Sequence, residues 1–171
     1  MALADDLVTV DGLPLHPLVV HAVVVLLPLS AVGTVLIAVR PAWRRRFGAA
    51  VAALTVLAVA TVPVAQQTGD QLHDKLKSLD NPLIERHAEL GETLLPYVVV
   101  FGVLVLALVF TGWLSDRRAR VAEAPRRGLW QVLVVALAVL AVLSAAATTA
   151  RVVQIGHSGS TAVWEGVANL P

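Results

Sequence analysis

The sequence contains no cysteine. This absence excludes disulfide bonds, thiolate metal sites and covalent attachment of a c-type haem through a CxxCH motif. Any metal ion bound by this protein must therefore be held by His, Asp, Glu, Met or backbone ligands.

Charge is also scarce, because only 15% of the 171 residues are charged and 57% are hydrophobic, with a mean hydropathy of +0.78. Four apolar runs, at 17–39, 47–65, 94–114 and 129–150, contain no Asp, Glu, Lys or Arg. Each is close to the roughly 20 residues that cross a hydrocarbon core as a helix. Their uncharged interiors offer no proton relay or ion path, which disfavours a transporter. We predict one all-α domain, an integral-membrane four-helix bundle over 1–171.

The basic residues are concentrated in two short segments, 40–46 and 115–128, which contain nine of the 13. Cytoplasmic loops collect Lys and Arg, so these two loops are predicted to face the cytoplasm. The amino terminus, the loop 66–93 and the carboxyl tail then lie outside, with ten of the 12 acidic residues. Membrane topology explains why the arginines cluster in these two loops, and no nucleic-acid partner is expected. The first run is kept as a helix, because its acidic flank without basic residues does not fit a signal peptide.

Short amphipathic helices are expected on the outer side. Leucines in 66–80 follow one helical face, and a second helix is predicted to begin after Asn81–Pro82 and to run into the third span. Gly156 in "GHSGS" is a good helix C-cap. We therefore expect a turn there, followed by a short outer helix at about 160–168.

Four histidines are candidate ligands, and all fall on the predicted outer side. His16 and His21 begin the first span, His87 precedes the third, and His157 follows the fourth. Five residues separate the first two by about 7.5 Å in depth and about 140° around the axis. With Pro17 at the first helical position, His16 would lie at the cap and His21 would face the bundle. Histidines from different helices at one mouth are typical of cofactor sites in bundles.

The segments "LHPLVVH", "RHAELG" and "GHSGSTAVWEG" resemble landmarks of the bacterial membrane proteins classed as domain of unknown function 2231. That pattern has a His-Pro-x-x-x-His element, a His at the start of the third helix and a Gly-x-x-Gly turn. The resemblance covers essentially the whole chain, although Ala22 stands where many relatives have an aromatic residue. It implies a multi-pass module of the bacterial cytoplasmic membrane, and relatives often occur beside or fused to cytochrome-type and other redox domains. By that association the four histidines are candidate ligands.

The leading functional hypothesis is an electron-transfer module that binds haem b at the outer face. His21 and His87 are the predicted axial pair, and Arg86 or Arg151 would pair with the haem propionates. His16 and His157 would support these ligands or belong to another site.

Two other hypotheses keep the fold and change the function. One is a non-haem copper, zinc or iron site that uses His16, His21, His87 and His157, with oxygen ligands from Asp70, Asp74, Glu85 or Glu89. The other is a cofactor-free structural or assembly subunit of a membrane complex. Hydrolytic or nucleophilic catalysis is poorly supported, because no Ser or Thr near His157 has a recognisable base-and-acid arrangement. The sequence makes no prediction about other enzymatic activity.

The expected partners follow from the same features. The spans require the lipid bilayer, and a redox module requires a redox or respiratory-chain protein. Gly33, Gly48, Gly102 and Gly112 permit close helix approach, and homo-oligomers are compatible with the sequence.

Overall fold

The computed structural model describes residues 8–121 and 127–165. A two-stranded antiparallel hairpin, β1 (Thr9–Val10) and β2 (Leu13–Pro14), precedes five helices. These are α1 (Leu15–Val39), α2 (Pro41–Leu76), α3 (Pro82–Glu92), α4 (Leu94–Val121) and α5 (Arg127–Trp164), with one 3₁₀ turn at Lys77–Leu79.

Four of the helices are long and apolar enough to cross a membrane, and they form one bundle. α1 packs against α2 and α5, and α4 packs against the same two helices from the other side. The predicted all-α, four-helix membrane bundle is confirmed. The outward faces of these helices contact the lipid bilayer.

The two ends of the bundle differ in chemistry. We call the end that holds His16 and His87 the histidine end, and the end that holds Arg44, Arg45 and Arg117 the arginine end. Buried apolar side chains fill the interior between them in three clusters. Phe101 is the largest fully buried side chain and lies in the second cluster, with Ile37, Val51, Val105 and Ala145.

Buried hydroxyl groups join α1 to α2 inside the apolar interior. Ser30 Oγ and Thr55 Oγ1 lie 2.5 Å apart, and Thr55 also donates to the Val51 carbonyl at 2.8 Å. Thr34 donates to the Ser30 carbonyl at 2.8 Å. A polar group without a partner in hydrocarbon is costly, so the bond between Ser30 and Thr55 favours this pairing of the two helices.

Small residues let the helices approach closely, as the sequence indicates. A Cβ atom on Gly33 would lie 3.1 Å from Val51 Cγ2, and one on Gly102 would lie 3.2 Å from Val59 Cγ2. Both glycines therefore let their helices lie closer to the neighbouring helix than a larger residue would allow.

α2 and α5 are much longer than a bilayer requires. With 36 and 38 residues, they extend about 54 and 57 Å, against a hydrocarbon core of about 30 Å. Beyond the apolar run of α2, the helix continues through 66–76, and α3 packs between it and the last turns of α5. The segment 66–76 is thus a continuation of α2 rather than part of a separate short helix in 66–80.

The helix predicted after Asn81–Pro82 forms as α3, although it ends before the third span begins. Asn81 caps it, because its side-chain Oδ1 accepts a hydrogen bond from the Leu83 amide at 2.9 Å. Pro82 occupies the first turn, where its missing N–H costs nothing. α3 ends at Glu92, and α4 begins at Leu94.

The expectation of a turn at "GHSGS" is wrong, because α5 runs without interruption to Trp164. Each glycine costs about 1 kcal/mol in a helix interior, but α3 packs on this segment. Side chains also bond the helix backbone here: Ser158 donates to the Ile155 carbonyl and Thr161 to the His157 carbonyl. Residues 160–164 of the predicted outer helix are therefore part of α5, and 166–168 lie outside the described residues.

Three further boundaries differ from prediction. α1 begins at Leu15, whose amide donates to the Val8 carbonyl of the hairpin, so His16 lies in the first turn and not at the cap. The loop 40–46 is mostly helix, since α2 begins at Pro41 directly after Arg40. Of the loop 115–128, α4 covers the part up to Val121, and 122–126 lie outside the described residues.

Phe101→Ala tests the packing of the second cluster. Removal of this fully buried ring should lower the free energy of unfolding by about 3–5 kcal/mol. Phe110→Ala is the matched control on the same helix, because Phe110 is 60% exposed and faces outward. Thermal unfolding in detergent, followed by circular dichroism, should show a large loss only for Phe101→Ala; equal losses would contradict this packing.

Candidate functional site

His16 is fixed between α1 and α2 at the histidine end. Its ring is partly buried, and Nδ1 lies 3.0 Å from the Ala65 carbonyl oxygen. A carbonyl oxygen only accepts, so Nδ1 carries the proton and donates. Thr68 Oγ1, at 3.4 Å from Nδ1, gives its own proton to the Val64 carbonyl at 2.8 Å. In the neutral ring the lone pair is therefore on Nε2.

His87 is held in the same way between α3 and α5. Its Nδ1 lies 3.0 Å from Ser158 Oγ. Ser158 donates its only proton to the Ile155 carbonyl at 2.8 Å, so its oxygen accepts from His87 Nδ1. His87 thus has the same tautomer as His16, with a lone pair on Nε2.

The two rings lie next to each other at the histidine end, in an edge-on arrangement. Their centroids are 6.4 Å apart, and their planes cross at 69°. With metal–nitrogen bonds of about 2.0–2.1 Å, two imidazoles on opposite sides of one metal ion have centres roughly 6 Å apart. Metal-ligating histidines also generally donate their other ring N–H to a carbonyl or similar acceptor. The separation of the His16 and His87 rings is close to this value, and each ring donates such a hydrogen bond from Nδ1.

A glycine faces each of the two rings. A Cβ on Gly69 of α2 would lie 3.0 Å from His16 Cε1, and one on Gly159 of α5 would lie 2.9 Å from His87 Cε1. These distances leave no room for a larger residue beside either ring. The position of each imidazole thus depends on a glycine of a neighbouring helix.

The pair borders a cavity of about 310 Å³, which we call the histidine cavity. Residues of α1 to α5 line it, mostly with aliphatic side chains such as Val20, Val24 and Ile155. This volume lies at the lower end of the range of small-molecule sites, which are typically apolar with a few polar groups.

A third metal ligand is not close to the pair. Within the described residues, no group of three or more His, Cys, Asp or Glu side chains is placed to hold a metal ion. Among the predicted oxygen ligands, Glu85 Oε2 lies 2.9 Å from His73 Nε2, and Asp74 Oδ1 lies 2.5 Å from Lys77 Nζ. Asp70 borders the histidine cavity, whereas Glu89 does not.

The expectation that His21 faces the bundle is wrong. Its side chain is exposed, and Nδ1 donates to the Pro17 carbonyl of its own helix at 2.6 Å. His157 is exposed on α5 as well. The structure therefore brings His16 and His87 together and places His21 and His157 outside the pair.

The two arginines predicted as propionate partners also lie outside the cavity lining. Arg151 joins α5 to the start of α4, because its Nε donates to Thr93 Oγ1 at 2.8 Å and its Nη1 to Gln154 Oε1 at 3.0 Å. Arg86 is exposed on α3.

Sequence reasoning missed Gly69, Ser158 and Gly159. A signal for them exists, because small residues recur at helical spacing where α2 and α5 pass each histidine: Ala65 and Gly69 on α2, and Gly156 and Gly159 on α5. Gly156 and Gly159 were not recognised as part of this pattern, because "GHSGS" was predicted to be a turn and not a helix.

Comparison with known families places this arrangement in context. The family model of predicted membrane proteins named DUF2231 matches residues 12–169. The chain belongs to this family. The match spans both histidines of the pair and both glycines of this DUF2231 protein. Neither curated proteins nor solved structures gave a match.

Gly159→Ala tests the seat of His87 in this DUF2231 protein. Alanine is normally preferred in a helix by about 1 kcal/mol, but here the added methyl group meets the ring, and overpacking typically costs about 1–3 kcal/mol. We expect a lower melting temperature than in wild type.

Gly156→Ala is the matched control three residues away, because a Cβ there meets nothing within 4 Å. It should leave the melting temperature unchanged or raise it. If Gly159→Ala melts at or above Gly156→Ala, the close contact between Gly159 and His87 is contradicted.

Proposed function

We propose that the protein binds haem b between His16 and His87 and acts as an electron-transfer module of the membrane. The observation that carries this proposal is the adjacent pair of imidazoles, each with Nδ1 bonded to the protein and with its lone pair on Nε2. The axial pair proposed here differs from the pair expected from sequence, because His16 takes the place of His21.

The number of protein ligands favours haem over a non-haem ion. A zinc, copper or iron site built by protein alone generally needs three or more side chains, and no such group is found in the described residues. A haem iron already has four porphyrin nitrogens and needs only two axial ligands. The aliphatic lining of the histidine cavity also matches the polarity of a macrocycle.

The bound haem would supply a reversible one-electron change at its iron. The chain's own residues would hold the two imidazoles: the Ala65 carbonyl and Ser158 Oγ accept hydrogen bonds from the two Nδ1–H groups, and Gly69 and Gly159 leave room for the rings. Such hydrogen bonds orient a ligating imidazole and raise its basicity. The position near the histidine end would allow exchange with a redox or respiratory-chain protein.

We further propose that the histidine end lies on the extracytoplasmic side of a bacterial cytoplasmic membrane. Arg44, Arg45 and Arg117 lie together at the opposite end of the bundle. There α2 and α4 are close to each other, since Arg45 Nη1 lies 3.8 Å from Asp116 Oδ1. Arginine-rich ends normally remain in the cytoplasm.

A reduced-minus-oxidised absorption spectrum tests the haem proposal. Protein expressed with haem supply should show a Soret band and about one haem per chain. His16→Ala and His87→Ala should each lower haem content at least about tenfold, because loss of a ligand removes a metal–nitrogen bond. His21→Ala and His157→Ala are matched controls at the same end and should retain haem.

Three other results would count against this proposal. Stoichiometric copper, zinc or iron without a Soret band would support the non-haem alternative. A stoichiometric protein partner without haem or metal would support the cofactor-free subunit. Equal loss of haem in all four variants would contradict the assignment of His16 and His87.

The absence of cysteine makes the orientation directly testable. Ser160→Cys places one thiol on the exposed face of α5 at the histidine end, and Arg46→Cys places one at the arginine end. In intact cells, a membrane-impermeant maleimide should label only Ser160→Cys, while both should react after lysis. Labelling of Arg46→Cys alone would invert the orientation.

A further inference from the structure

A second site lies at the opposite end of the bundle, in a groove between α2 and α4. The groove has a volume of about 1200 Å³, and its polar lining comes from Arg44, Arg45, Asp116 and Arg117. We call it the arginine groove. It is remote from the histidine cavity, and haem binding does not use it.

Arg44 is the central feature of this groove. Its side chain crosses Gly112 of α4 so closely that a Cβ there would lie 2.5 Å from Nε and 3.3 Å from Cζ. Nε is buried, and within the described residues it has no hydrogen-bond partner. A buried guanidinium N–H without an acceptor is costly, so the groove favours a ligand that supplies one.

The charges of the groove favour an anion. Three arginines face one carboxylate, Asp116, which lies 3.8 Å from Arg45 Nη1. Arginine binds phosphate groups through paired, charge-assisted hydrogen bonds. A phosphate oxygen is therefore an acceptor that matches the charge of the groove and the side chain of Arg44, whose buried Nε has no partner within the described residues.

The groove also has an apolar wall that faces the bilayer. Phe110 is 60% exposed and Trp113 51% exposed on α4. Arg117 stacks on Trp113, with Cζ 5.0 Å from the ring centroid. Interfacial tryptophan lies at the depth of lipid headgroups, so a phosphate bound here would have acyl chains running along Phe110.

We propose that the arginine groove is a binding site for an anionic phospholipid, with its phosphate on Arg44 and its acyl chains along Phe110. Basic pockets between membrane helices commonly bind anionic headgroups. The lipid joins α2 to α4 at the end of the bundle where these helices extend past the apolar interior.

Native mass spectrometry of the full chain in a neutral detergent tests this site. The probes are phosphatidylglycerol, phosphatidylcholine and inorganic phosphate. Phosphatidylglycerol should bind at least about tenfold tighter than phosphatidylcholine, and Arg44→Gln should weaken it about tenfold, as expected for loss of one charge-assisted hydrogen bond.

Arg46→Gln is the matched control. Arg46 is exposed, two residues along the same helix, and does not line the groove; its loss should change binding by less than about twofold, because exposed charges are screened. Gly112→Ala retains every charge and should weaken binding by displacing Arg44, which keeps the test valid if Arg44→Gln does not fold.

Three results would overturn the proposal. One is equal binding of the two phospholipids by wild-type protein. Another is an equal effect of Arg44→Gln and Arg46→Gln, which would indicate a diffuse charge effect. The third is inorganic phosphate binding as tightly as phosphatidylglycerol, which would assign the groove to a free anion.

Discussion

The candidate site depends on the excess length of α2 and α5. Helices that cross lipid must satisfy their backbone polar groups internally, but nothing in that constraint requires them to continue for several more turns. Because they do, α3 has two surfaces to pack against, and His87 is held opposite His16. Without these extensions, the histidine end would lack the helical segments that place Gly69 and Gly159 beside the two rings.

Much of the fold could be predicted because the bilayer imposes a simple rule. An uncharged run of about 20 apolar residues specifies a crossing helix almost independently of its neighbours, and Asn81–Pro82 gives a local signal for the start of α3. The continuation of α5 through Gly156 and Gly159 could not be predicted in this way. There the local cost of glycine is outweighed by packing against α3, which only the assembled bundle supplies.

The position of the four candidate histidines at one end of the bundle could be predicted from the sequence, but the side chains that face inward could not. His16 bonds to the Ala65 carbonyl of α2, whereas His21 bonds to the Pro17 carbonyl of its own helix. The inward position of His16 therefore depends on how α1 packs against α2, and Ala65 lies far outside the motif.

The corner between α1 and α2 contains a single non-helical residue, Arg40. His16 precedes it by 24 residues and Ala65 follows it by 25, so the two arms of this helical hairpin are nearly equal in length. At 1.5 Å and 100° per residue, inserting one residue in either arm would shift and turn the bond between His16 and Ala65 out of register. The distance between His16 Nδ1 and the Ala65 carbonyl oxygen therefore depends on how many residues separate each of them from the corner at Arg40, on the other side of the membrane.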